Sequence, residues 1–344
     1  MNAAICTSKG HIEYTQMPKP EMEYGEALIE VMYGGICGSD AHVYHGLHPT
    51  ATFPVVPGHE FVGKLVGANG PIKAGLTIGD IVVAQPYTTC GDCEPCITGN
   101  DNVCTHLKLL GAHRDGCFAE YVTVSASKVY KVPDGVDPKL AALAEPLAVA
   151  IHDVRMSELR VGDNVMIIGG GVIGVFIAIV AAQAGANVTI SEISEYRQNF
   201  IKDLGFRVFN PLDKDYNDNI KNIVGEDGFD VVFEVSGSKA GVQSSVGLTK
   251  VSGTIVIVGM CKEPYPVDTT QIFLKQIEMK GVRIHSQEAF KAAVNLLGSG
   301  ALNDKLYKLI SKQYKLSEIN QAYDYMCNNT DFFKLLVNVG EENR

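Results

Sequence analysis

Apolar positions in the first part of the chain come in short β-prone runs, such as 27–33, 81–84 and 121–124. Turn signals crowd between them: Pro57-Gly58, Ala68-Asn69-Gly70, Gly79-Asp80 and Pro133-Asp134-Gly135. Short strands broken by frequent turns predict a mainly β unit. From about residue 155 the texture changes, and strand-like runs at 164–168, 188–191, 207–209, 230–235, 254–258 and 282–285 alternate with helical stretches such as 172–184 and 195–204. Six strands with helices between them predict a parallel, doubly wound sheet. Beyond residue 288 helical patterning returns at 289–297 and 316–326, and the chain closes on the β-like Leu335-Leu336-Val337-Asn338-Val339. A final strand after the sheet domain predicts a return to the first one. The expected organisation is an α/β protein with one domain over residues 1–154, completed by 289–344, and a second over 155–288. The polar run 213–222 reads as a solvated loop or helix face.

Composition narrows the function classes. At 344 residues, with 46% hydrophobic and 20% charged residues, the chain can bury full cores in two domains. A net charge of −10 argues against nucleic acid, since neutralising phosphates takes a basic surface. The most apolar window, 165–182, is interrupted by Gly169, Gly170, Gly171 and Gly174, so it reads as strand, turn and helix rather than a bilayer span. No long apolar core follows the N-terminal residues, which predicts no secretory leader and a cytoplasmic location. The uneven part is cysteine and histidine: nine of each, with seven of each before residue 118. An odd cysteine count in an unsecreted chain does not suit a disulfide framework, and crowding of these two ligand types reads as metal chemistry.

The segment Val165-Met166-Ile167-Ile168-Gly169-Gly170-Gly171-Val172-Ile173-Gly174 is a strand running into a glycine turn and a helix. G-x-G-x-x-G alone also fits a purely structural turn. In this context Gly169 permits the tight turn, Gly171 lets the backbone approach a pyrophosphate, and Gly174 lets the helix pack on the strand. Val172 and Ile173 open the helix whose free N–H groups would face the anion. Glu192, 18 residues past Gly174 at the end of the next strand, can accept from both ribose hydroxyls and would repel a 2′-phosphate, favouring NAD over NADP. A surface acid at a strand end is the plain alternative. Arg197 either stacks on adenine or sits in the first turn of a helix.

Cys90, Cys93, Cys96 and Cys104 form C-x2-C-x2-C-x7-C, with Gly91, Pro95 and Gly99 to bend the backbone. Four thiolates at this spacing can surround zinc in a closed, structural shell. An iron–sulfur cluster is disfavoured by the seven-residue spacer and the absence of a following Cys-Pro. Three further candidates are dispersed: Cys37 in Gly34-Gly35-Ile36-Cys37-Gly38-Ser39-Asp40, His59-Glu60 after Pro57-Gly58, and Glu145 in Ala144-Glu145-Pro146-Leu147. Gly63 rules out a helical H-E-x-x-H. Singly, each fits a bland role as well: a core thiol, a satisfied histidine, a helix-start acid.

In order along the chain, G-I-C-G-S-D-x-H, P-G-H-E, the four-cysteine lobe, A-E-P-L and G-G-G-V-I-G resemble the zinc-dependent medium-chain alcohol dehydrogenase family. The nearest branch is that of polyol (sorbitol), threonine and hexonate dehydrogenases, in which glutamate replaces a cysteine ligand. The resemblance implies a GroES-like catalytic domain and a Rossmann domain, with two zinc ions per chain and NAD. It implies that Cys37, His59 and Glu145 hold a catalytic zinc, with Glu60 beside it as a neighbour or exchanging ligand. An open zinc position eases ionisation of a substrate hydroxyl. Ser39 would take that proton and pass it through the nicotinamide ribose to His42, for which an exposed loop histidine is the plain alternative. A homodimer or homotetramer paired through the edge strand near 254–285 is also implied.

Glutamate as third ligand suits oxygen-rich substrates. Leu110-Gly111-Ala112-His113-Arg114-Asp115-Gly116-Cys117-Phe118-Ala119-Glu120-Tyr121 resembles a run in sugar-acid dehydrogenases, with Cys117 in place of a glycine. His113 or Arg114 would then meet the substrate, Arg114 forking a carboxylate, and a surface arginine is the alternative. The expected activity is reversible oxidation of a secondary alcohol of a sugar acid or polyol. L-Threonine 3-dehydrogenase is the rival activity, and a zinc-stabilised dinucleotide sensor is the non-enzymatic one.

Overall fold

The computed structural model describes residues 1–340; the last four residues of the span 289–344 lie outside the described residues. The chain divides into two compact units, Met1–Ala148 with Ser286–Arg344, and Val149–His285. The division falls inside the helix Ala144–Ser157.

The first unit is built on a seven-stranded sheet. Its centre is the long strand Glu26–Ile36, paired antiparallel with Glu60–Asn69, Tyr121–Ser125 and the C-terminal Lys334–Asn338. A bulge at Met32, between Val31 and Tyr33, bends this strand, which lets it meet two partners on one side in succession. The core beneath gathers Ile29, Val31, Phe61, Leu65, Val82, Phe118, Val122 and Tyr323, all buried. Leu335 and Val337 belong to the same core, which is why the last strand returns here.

The second unit holds six parallel strands in the order Arg207–Phe209, Asn187–Ser191, Asn164–Ile168, Phe229–Glu234, Thr249–Ile257, Glu278–Gly281. Numbered along the chain this is 3-2-1-4-5-6, the doubly wound order with its switch point beside the first strand. The helix Val172–Gln183 is buried continuously from Gly174 to Ala181, as expected of a helix laid across a parallel sheet.

The sequence expectation differs in detail at the sheet edge. The sixth strand lies at Glu278–Gly281, not 282–285, with Glu278 opposite Thr254. On this edge strand Glu278 and Met279 are exposed and Lys280 is paired with Glu158 and Glu278, so it carries less apolar patterning than Val282-Arg283-Ile284-His285. The polar run 213–222 is largely the helix Tyr216–Val224, anchored by buried Ile220. The helix Asn303–Leu309 and strand Ile310–Lys315 were not anticipated. No described helix is long and apolar enough to cross a membrane.

Candidate active site

Four sulfurs placed tetrahedrally about 2.3 Å from one centre stand about 3.8 Å apart. The Sγ–Sγ distances in the cysteine lobe are 3.4 Å for Cys93–Cys96, 3.5 Å for Cys90–Cys104, 3.8 Å for Cys93–Cys104 and 4.0 Å for Cys90–Cys96. The sulfurs therefore already frame a zinc-sized hole, and they are too far apart for disulfides. Two turns build the frame: the short helix Glu94–Ile97 and the turn Asp101–Val103. Backbone N–H groups of Cys90 and His106 point at Cys104 Sγ, at 3.4 and 3.3 Å, and hydrogen bonds from Thr105 and Cys96 hold Cys93 down at about 6. Donors aimed at Cys93 favour its thiolate, whereas the Asp92 carboxyl beside Cys90 pushes that thiol up.

A second cluster forms where the central strand ends. Cys37 follows the strand Glu26–Ile36 and caps the helix Gly38–Tyr44. Asp40, at the third helical position, reaches back to accept from Cys37 N at 2.8 Å, a capping contact that fixes the loop. Its other oxygen lies 3.2 Å from Gly58 N and 3.5 Å from His59 Nδ1. One buried carboxylate thus ties the Cys37 loop to the His59 loop. Burial alone would drive the His59 pKa down, but Asp40 outweighs it and holds the value well above the usual. With Nδ1 directed at Asp40, Nε2 remains for a ligand.

The donor atoms of Cys37, His59 and Glu60 lie within 4.8 Å of one another. Glu60 is held from behind: both its oxygens accept from Lys334 Nζ, at 2.8 and 2.7 Å, and the ammonium also donates to Ile36 O at 3.2 Å. Burial works against the charge on Lys334, but Glu60 and Cys37 keep its pKa raised. Glu145, in the first turn of the helix Ala144–Ser157, is not one of the three converging donors. Its buried carboxyl is nonetheless within electrostatic reach of them. Burial pushes it up to about 7, while His59 pulls it down and Glu60 pushes it up.

Ser39 and His42 stand three residues apart on the helix that Cys37 caps, both partly buried, and such positions share a helix face. His113 is anchored by Leu109 N donating to Nδ1 at 3.1 Å and lies 2.8 Å from Thr50 Oγ1 through Nε2. Its ring is 6.0 Å from that of His48. His48 is pushed down by burial and by His113, His42 and His59, so these imidazoles share one region. Arg114 donates through Nη2 to the Glu26 carboxylate and to Thr123 Oγ1 at 3.3 Å, so one arm of the fork expected to grip a substrate carboxylate is held from within. Cys117, fully buried, packs against the backbone of Glu60, its Sγ 3.7 Å from the carbonyl.

In the second unit, Gly169 takes φ +106°, and a Cβ on Gly174 would sit 2.0 Å from the Gly169 carbonyl oxygen. The turn is therefore closed to any side chain at either position. Gly171 caps the helix begun by Val172 and Ile173. Glu192, buried at the end of the strand Asn187–Ser191, accepts from Gly170 N and Ser194 N, both at 2.8 Å. Arg197 Nη1 lies 4.0 Å from Glu192 Oε2, on the helix Glu195–Asp203 capped by Ser194. Sequence reasoning assigned no role to Lys334 or Asp40. A lysine opening an apolar final strand was the available signal for the first, and the acid in G-S-D for the second.

Two metal-ready clusters in one unit and a dinucleotide turn in the other define a metal-dependent dehydrogenase. Comparison with known proteins agrees. Residues 23–134 match the alcohol dehydrogenase GroES-like domain, and residues 172–299 match the zinc-binding dehydrogenase domain. The 2-dehydro-3-deoxy-L-galactonate 5-dehydrogenase of Pseudoalteromonas atlantica is 39% identical over 92% of this chain and 93% of its own length. An L-threonine 3-dehydrogenase of Escherichia coli is 31% identical over 91% and 92%. A putative zinc-binding dehydrogenase from Sinorhizobium meliloti, solved bound to NADP, superposes with a TM-score of 0.89 at 32% identity over 98% of this chain and 99% of that one. The chain belongs to the zinc-dependent medium-chain alcohol dehydrogenase family. It is a zinc- and NAD(P)-dependent oxidoreductase acting on a small-molecule alcohol, which sets aside the sensor reading.

Proposed function

We propose that this enzyme reversibly oxidises a secondary hydroxyl of a sugar acid, or of a related polyol, to the ketone with NAD. The observation that carries the reading is likeness along 92% of the chain to a relative named for a sugar-acid substrate, together with the converging four-sulfur cluster and the Cys37–His59–Glu60 cluster. Threonine dehydrogenases match over a similar span at lower identity, which keeps L-threonine as the second substrate to test.

Cys37, His59 and Glu145 would hold the catalytic zinc, and Cys90, Cys93, Cys96 and Cys104 a structural one. Sulfur, imidazole and carboxylate donors suit that ion. Glu145 is preferred over Glu60 as third ligand because Lys334 already occupies both Glu60 oxygens. Bound zinc supplies Lewis acidity toward the substrate hydroxyl, and NAD supplies the hydride acceptor. Asp40 orients His59 and fixes its tautomer. Ser39 Oγ accepts the substrate proton, and His42, one turn along the same helix, carries it away. In the second unit Gly169, Gly171 and Gly174 bring backbone N–H groups to the pyrophosphate, and Glu192 takes the ribose hydroxyls.

The open edge Glu278–Gly281, close in sequence to the exposed Phe273 and Leu274, supports assembly as a homodimer or homotetramer. Nine unpaired cysteines support a reducing, cytoplasmic setting. The deciding experiment follows reduced-cofactor absorbance with hexonates, pentitols, hexitols, phosphorylated polyols and L-threonine, each with NAD and with NADP. Highest kcat/KM on a hexonate supports the proposal, and highest kcat/KM on threonine defeats it.

A further inference from the structure

Glu234 ends the strand Phe229–Glu234 with its side chain fully buried, and none of the chemistry above uses it. Its Oε1 accepts from Ser236 N at 3.1 Å, from Gly237 N at 3.2 Å and from the Ser236 hydroxyl. Its Oε2 lies 3.2 Å from Gly237 N. Its backbone carbonyl accepts from Val258 N at 2.9 Å and Gly259 N at 2.8 Å. The carboxylate therefore holds the turn after its own strand, while the backbone carbonyl of the same residue holds the loop after the neighbouring strand Thr249–Ile257. The two segments touch without room between them. A Cβ on Gly259 would lie 2.3 Å from Gly237 N and 2.9 Å from Glu234 Oε2, and one on Gly237 would lie 2.6 Å from the Met260 carbonyl oxygen.

The sheet order says what this pairing is for. A doubly wound sheet binds a dinucleotide as two mononucleotide halves across the carboxyl ends of its strands, meeting where the strand order reverses. The glycine turn and Glu192 follow the strands Asn164–Ile168 and Asn187–Ser191, so the adenosine half falls to that side. The carboxyl ends left for the nicotinamide half are those of Phe229–Glu234 and Thr249–Ile257, which lie side by side. We propose that Glu234 is a positioning residue for the nicotinamide half of the cofactor, its buried carboxylate fixing the turn 236–238 in the shape that packs against the loop 258–260, so that the two form one rigid wall. Buried acceptors that hold backbone N–H groups fix a loop before its ligand arrives, which lowers the ordering cost of binding. The proposal rests on the dinucleotide reading of this unit.

The test titrates NADH, and separately ADP-ribose, which lacks nicotinamide, into the zinc-loaded protein. In Glu234→Ala, NADH should bind about 10-fold or more weakly while ADP-ribose stays within about twofold of the unaltered protein. Glu234→Gln keeps an oxygen acceptor and should recover most of the NADH affinity. Equal losses for both ligands, no loss for NADH, or no recovery with Gln overturns the clamp. Should Glu234→Ala not fold, Gly259→Ala carries the same expectation, because its Cβ would prise the two segments apart. If the unaltered protein binds neither ligand, the dinucleotide reading fails and the clamp falls with it.

Discussion

Replacing Lys334 with methionine would leave the Glu60 carboxylate without its counter-charge. Both groups are almost fully enclosed, with side-chain exposures of 2% and 1%, so solvent screening offers little relief. The ammonium contacts both carboxylate oxygens and the Ile36 carbonyl. Methionine has similar length and fills the volume, which isolates the charge from any packing loss. Breaking one partner from a buried pair costs about 3–5 kcal/mol, and a unit of this size loses about 2–4 °C of Tm per kcal/mol. The midpoint of Lys334→Met should therefore fall by at least about 6 °C in differential scanning calorimetry of protein stripped of metal at the Cys37–His59–Glu60 cluster, where no zinc ion can replace the lost counter-charge. The double variant Lys334→Met/Glu60→Gln removes the stranded charge and should regain most of that loss, the signature of two coupled sites. A midpoint for Lys334→Met within about 2 °C of the unaltered protein would refute the reasoning. So would a double variant no more stable than the single.

Three other expectations are open to direct measurement. Glu192→Ala removes the acceptor of Gly170 N and Ser194 N together with the repulsion of a 2′-phosphate, so NAD affinity should drop about 10-fold and the NADP-to-NAD ratio of kcat/KM should rise; an unaltered ratio contradicts that role. Arg114→Ala should lower stability through loss of the Glu26 pair, by about 1 kcal/mol for this partly exposed group, while leaving discrimination between hexonates and neutral polyols unchanged; a selective loss on hexonates would return Arg114 to the substrate. His48 has its pKa lowered from 6.5 by burial and neighbouring imidazoles, so the unfolded chain binds its proton more readily and stability drains away as pH falls through 6.5. His48→Gln should therefore melt with a shallower acid limb between about pH 7 and 5, and an identical slope in the two proteins speaks against it.

What could be read along the chain was whatever is local. The strand Asn164–Ile168, the glycine turn and the helix Val172–Gln183 lie within one short segment, and strand spacing and glycine placement are properties of consecutive residues. The four cysteines span 15 residues, and their sulfurs converge because short turns leave them little alternative. The edge strand escaped because one open side relaxes the demand for apolar residues.

The open site was legible only as scattered candidates. Cys37 and His59 meet because antiparallel pairing of Glu26–Ile36 with Glu60–Asn69 brings their loops together, and Asp40 then ties them. Lys334 reaches Glu60 across 274 residues of sequence, and Arg114 reaches Glu26 across 88. No local pattern encodes such partners, since closing a long loop costs entropy that only a complete core repays. Consecutive residues were enough to show two kinds of chemistry, metal and dinucleotide, and the strand–turn–helix that goes with the second. Only in the folded chain does Lys334 stand behind Glu60, Arg114 meet Glu26, and buried Glu234 accept from the turn at 236–237 and, through its backbone, from 258–259. Each of those depends on burial, and burial exists only once the chain has closed on itself.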